Sequence, residues 1–182
     1  EHMDVYAMGG SIRIGDNGTG PPYPEWNIYA DVGSARALYG AEWPRARPRL
    51  APLDTAGLAQ VGGAAFQMVR HCASPIARAL RDMDSAWLPR CSWRSALDGP
   101  QGAANASRLS SVIYDAVVAS FLVLPGTFVS FEALRIGIHD TGRMVVDAAH
   151  GFQVSAAMHW TDMPGWEMSV ARLLCAENRT TS

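Results

Sequence analysis

Val5-Tyr6-Ala7-Met8-Gly9-Gly10 is the stretch that decides how the chain is read. Its four apolar residues form a short buried strand, and the two glycines end it where the backbone must turn sharply. The turn opens into Ser11 to Pro24, where Gly15, Asp16, Asn17, Gly18, Gly20 and three prolines make a long irregular loop. Loops of that length are functional or disordered, so a ligand-facing loop is expected at the end of this strand.

Outward from that strand, helical patterning starts near Asp31, which caps a helix running through Ala35, Leu38 and Tyr39. Arg49 to Leu53 reads as a second short strand, with Asp54 or Thr55 capping the segment after it. Two amphipathic helices are expected between Gly57 and Trp87, divided at Ser74-Pro75, the serine as cap and the proline at the first helical position. Asp98 to Ser107 is a Gly-, Pro- and Ser-rich loop, and an apolar helix runs from Ser110 to Leu124, ended by Pro125-Gly126. Phe131 to Ile138, Arg143 to Asp147 and Phe152 to Trp160 read as strands, and Pro164 to Cys175 closes as a helix. Strands alternating with helices predict an α/β layer fold.

With 182 residues and 48% hydrophobic content, the chain can bury one ordinary core. The expected division is a single domain over 4–176, a cloning scar at Glu1-His2-Met3 and a tail at 177–182. A formal net charge of -2 gives no electrostatic reason to approach phosphate backbones or anionic lipid, so neither nucleic acid nor membrane is an expected partner. All the basic residues are arginine, which fits compositional bias better than a binding surface. Cys72, Cys91 and Cys175 are odd in number and irregularly spaced, fitting neither a disulfide framework nor a zinc ligand set, so an intracellular, reducing compartment is expected. No apolar run is long enough to span a bilayer.

Several enzyme classes are excluded by pattern. His71, His139, His150 and His159 show no metal-binding spacing, no G-x-S-x-G elbow is present, and a chain without lysine has no Walker-type phosphate loop. Gly15 to Gly20 does not make a dinucleotide fingerprint. Glu132, Asp140, Asp147 and Glu167 read as strand-end and helix-surface charges.

Two places remain where chemistry would sit. Glu25 and Asn27, two apart on extended backbone, point the same way and would grip vicinal hydroxyls as acceptor and mixed donor and acceptor. The alternative is a turn that starts a helix, with exposed polar groups. Asp115 lies among Val112, Ile113, Ala116, Val117, Val118 and Ala119, in what reads as buried helix. A buried carboxylate needs a partner, so it is either a calcium-type oxygen ligand or a structural ion pair or cap. Tyr114 beside it either stacks on a ligand base or fills the core.

Taken in order, Met8-Gly9-Gly10, Asn17, Glu25-Trp26-Asn27-Ile28-Tyr29, Asp31, Leu53-Asp54-Thr55, Tyr114-Asp115 and Gly142-Arg143 through Asp147 resemble the C-terminal half of the inosine-uridine-preferring nucleoside hydrolases. The resemblance runs from Val5 to Cys175, and Glu-Trp-Asn is most similar to the purine-preferring branch. It implies a partial, Rossmann-like layered fold with a mostly parallel central sheet, the N-terminal half being absent. It also implies a substrate site formed by Met8, Asn17, Glu25, Asn27 and Tyr114, with Asn17, Glu25 and Asn27 on the ribose hydroxyls and Asp115 as a calcium ligand.

The family reaction so implied is hydrolysis of the N-glycosidic bond by a metal-bound water through an oxocarbenium-like transition state. Three departures stand out. Tyr114 occupies the place where many members have a leaving-group histidine, and Val32 replaces the usual proline after Asp31. The third is decisive for activity: no segment here resembles the family's Asp-x-Asp-x-x-x-Asp-Asp strand, which supplies most calcium ligands and the general base. The resemblance therefore implies a purine nucleoside site that hydrolyses only when an acidic half completes it, or a pseudoenzyme domain acting as a protein-interaction module. Either way a second chain or self-association is expected to cover the open sheet edge.

Overall fold

The connections between strands determine how the sheet is built. In the computed structural model, which describes residues 4–43, 46–87, 108–124 and 127–176, β1 (Tyr6–Met8) is followed by a loop holding a 3-10 turn at Asp16–Gly18, then by α1 (Trp26–Ala30), α2 (Val32–Gly40) and β2 (Arg49–Ala51). That connection is long enough to return the chain for parallel pairing, and Tyr6, Ala7 and Met8 lie opposite Arg49, Leu50 and Ala51. Next come α3 (Leu53–Ala56), α4 (Gly63–His71), α5 (Pro75–Trp87) and α6 (Tyr114–Val123). The chain ends with β3 (Val129–Ile138), β4 (Met144–Val146), β5 (Phe152–Trp160) and α7 (Met163–Cys175). The expected loop from Asp98 to Ser107, the Pro125-Gly126 helix stop, Cys91, the Glu1-His2-Met3 scar and the 177–182 tail lie outside the described residues.

The fold is α/β, with a five-stranded sheet in the order β1-β2-β5-β3-β4. β1 with β2 and β2 with β5 are parallel, whereas β5 with β3 and β3 with β4 are antiparallel. The sheet is therefore mixed, which corrects the expectation of a mostly parallel one. The short connection from β3 to β4 has no room for a crossover helix and reverses the chain, and β5 runs in the same direction as β4, so both lie antiparallel to β3. β1 is an edge strand, with β2 on one side and no partner among the described residues on the other.

The residues cluster into two compact units, one from Glu1–Ala59 and Val112–Asp162, the other from Gln60–Ser111 and Met163–Ser182. The first holds the sheet. Its core packs Ile28 of α1 and Ala35 and Tyr39 of α2 against Leu50, Ile136, Val154, Ala156 and Met158 of the strands. β5 is covered on both faces at Ala156 and Ala157, as suits a central strand. On the face carrying Ala157, the buried Thr55 hydroxyl of α3 donates to the Ala157 carbonyl at 2.9 Å.

The second unit is helical among its described residues. Ser74 accepts the amide of Ala77 at 3.5 Å where α5 begins at Pro75, the start read from the sequence. Cys72, just past the end of α4, and Cys175, the last residue of α7, form a disulfide with their Cα atoms 5.8 Å apart. Their separation of 103 residues hid this pairing, because only the packing of the two helices brings their C-terminal ends together. The bridge argues against the reducing compartment expected from cysteine spacing. Among the described residues, no helix is long and apolar enough to cross a membrane.

Candidate functional site

The site is built at the carboxyl ends of the parallel strands β1 and β2, where loops of open α/β sheets present their ligand-binding groups. β1 ends at Met8, and Gly9 and Gly10 follow with positive φ. At Gly10, with φ of +80°, any side chain would be strained, and a Cβ would strike the Met144 sulfur. This backbone carries the Gly10 amide to Glu25, whose Oε2 accepts it at 2.8 Å.

Glu25 is 6% exposed and caps α1, its Oε1 accepting the Asn27 amide at 2.9 Å. The expected extended backbone at Glu25-Trp26-Asn27 is thus corrected. Asn27 lies in the first turn of a helix, because the glutamate satisfies one of the helix's orphan N–H groups. Asn27 is exposed, and its carboxamide nitrogen lies 3.3 Å from Met8 Sδ, a weak acceptor. Met8, Glu25 and Asn27 are therefore brought together, and the Asn27 amide keeps most of its hydrogen-bonding capacity for solvent or a ligand.

The long loop is not loosely held. Asp54, buried at the start of α3, accepts the amides of Ile12 (2.9 Å), Arg13 (2.9 Å) and Ile14 (3.3 Å). The sequence suggested it as a helix cap. Pro52 holds that position instead, and the carboxylate ties down the loop. The Ser11 hydroxyl donates to the Ile14 carbonyl at 2.8 Å and accepts the Tyr23 amide at 3.3 Å, closing the loop on itself.

At the loop's 3-10 turn, Asp16 receives the hydroxyl of Tyr114, 3.3 Å from each carboxylate oxygen, although the two residues are 98 apart in sequence. The Tyr23 phenol is pushed up to about 12, by burial first and then by the negative charges of Asp16 and Glu25. It thus feels the carboxylates on both the Glu25 side and the Asp16 side of the site. Asn17 lies in the same 3-10 turn, next to Asp16, and its side chain is outside the described atoms.

Asp115 is exposed in the first turn of α6, which corrects its reading as a buried carboxylate. α6 begins at Tyr114 rather than Ser110 and buries Val117 and Ser120, leaving Asp115, Ala119, Leu122 and Val123 outward. The apolar neighbours of Asp115 misled because α6 is apolar on both its covered and its open face. An exposed aspartate needs no partner. Among the described residues no three His, Cys, Asp or Glu side chains are grouped to hold a metal ion, and calcium takes six or more oxygens. The donor set among the described residues does not fit a calcium site.

Sequence reasoning passed over Asp16, Tyr23 and the anchoring role of Asp54. Asp16-Asn17-Gly18 carried the signal of a tight polar turn, but nothing local points from it to Tyr114. No protein-family model matches the chain, and no curated protein does.

Proposed function

We propose that this chain is a nucleoside hydrolase-like domain that recognises the ribose of purine nucleosides and hydrolyses the N-glycosidic bond only when an acidic N-terminal half completes it. The observation that carries the reading is convergence. Met8, Glu25 and Asn27 meet at the end of β1, and Tyr23 and Asp16 continue the same polar surface to Tyr114. In this reading Asn27 binds vicinal ribose hydroxyls, Met8 lines the sugar and Tyr114 faces the base. Glu25 adds a negative wall while holding Gly10 and Asn27 in place. Asn17 completes the ribose contacts from the neighbouring turn.

Calcium enters only in a completed protein, with Asp115 as one ligand among many. The exposure of Asp115 suits a residue that waits for such a half, and so do the outward Leu122 and Val123 of α6 and the outer edge of β1, unpaired among the described residues. The same open edge favours a second reading, a non-catalytic domain that works by protein contact, through another chain or a second copy.

Calorimetric titration with inosine and 2′-deoxyinosine separates these readings. Ribose recognition predicts measurable inosine binding and a loss of about tenfold for the deoxy compound, since one good hydrogen bond is removed. Equal affinity for both, or no heat with either, would leave the protein-contact reading in its place.

A further inference from the structure

We infer that Asp16 is a positioning residue, whose carboxylate clasps the Tyr114 hydroxyl and so fixes the ring that faces the base of a bound purine nucleoside. The inference rests on the nucleoside reading and adds to it a residue that makes no contact with the ligand itself.

Three features of the fold make Asp16 a built seat. The loop that carries it is tied at its root by Asp54, through the amides of Ile12, Arg13 and Ile14. Its carboxylate is packed close against Gly57, where an added Cβ would come within 3.1 Å of Oδ1. It takes both oxygens to the Tyr114 hydroxyl at 3.3 Å, a three-centre arrangement that holds the ring from its far end.

An aromatic ring anchored at its hydroxyl has its rotamers restricted before any ligand arrives, which lowers the ordering cost of binding. The clasp acts on the backbone as well. Asn17 follows Asp16 and Asp115 follows Tyr114, so one hydrogen bond sets the spacing of the loop turn and the first turn of α6.

Inosine titrations of the full chain and of D16A, D16N, Y114F and the D16A/Y114F double variant test this role. D16A and Y114F should each weaken inosine binding by about tenfold, and the double variant should be no weaker than either, because a single hydrogen bond is lost once. D16N keeps a carboxamide oxygen to accept the phenol and should stay within about threefold of the parent. Unchanged affinity in D16A, additive losses in the double variant, or D16N as weak as D16A would each overturn the positioning role, the last assigning the effect to charge. If D16A does not fold, Y114F against Y114F/D16N makes the same comparison. Should the parent chain bind no inosine, the nucleoside reading itself fails and takes this role with it, an outcome distinct from tight parent binding with indifferent variants.

Discussion

Glu25 holds one backbone amide with each oxygen, Gly10 across the site and Asn27 in its own helix. Glu25→Ala removes both acceptors from a buried position and should lower the free energy of unfolding by about 2–3 kcal/mol, read from urea denaturation. Loss of ligand binding in that variant would therefore not assign Glu25 to the ribose, whereas Asn27→Ala, on an exposed side chain, should abolish binding with the melting temperature unchanged. Asp54→Ala leaves three loop amides without their acceptor and should cost at least about 3 kcal/mol in the same measurement. A cost near zero would mean that the loop is held by something else. At this scale the sequence showed which residues cluster in motifs but not which way they face. Asp115 has apolar neighbours in sequence and solvent around its carboxylate, and no periodicity within α6 distinguishes the two.

The helices were legible where a cap or a proline marks them. Asp31 caps α2 as the sequence suggests, accepting the Ser34 amide at 2.9 Å and the Ser34 hydroxyl at 2.7 Å. The first of these bonds is the main reason its carboxyl lies below the usual aspartate range. Glu132 is lowered as well, chiefly by the bidentate Arg13 guanidinium at 2.8 Å. For both groups the charged form is favoured in the folded protein, so their contribution is present above the ordinary carboxylate range and disappears as pH falls through the depressed folded values. Thermal unfolding should show stability dropping below about pH 4, with a shallower drop in Asp31→Asn. An identical acid profile in that variant would remove Asp31 from the account. α1 escapes a sequence reading because its cap is a glutamate, not among the preferred capping residues, and because five residues give no helical period. α6 starts later than its pattern suggests because Ser110 to Ile113 is apolar enough to continue that pattern. The segment is not helical, with the Ile113 amide on the Ala59 carbonyl at 2.8 Å.

For the molecule as a whole, alternation of strands and helices was enough to give the α/β class, but not strand direction. That depends on connection length, and the short turn between β3 and β4 reverses the chain, giving an antiparallel half to a sheet that begins parallel. The disulfide was equally beyond local reading. Its reduction by a thiol should release two thiols and lower stability by about 2–5 kcal/mol, and a Cys72→Ser/Cys175→Ser variant should match the reduced protein. Three reactive thiols in the untreated chain would contradict the bridge. Nucleoside recognition requires residues from β1, the long loop, α1 and the start of α6 to meet on one purine nucleoside. Backbone amide shifts of an isotope-labelled chain titrated with inosine measure this directly. The largest shifts should cluster at Met8, Gly10, Asn27 and Tyr114; saturable shifts confined to Gln60–Ser111 and Met163–Ser182, or none at all, would contradict it.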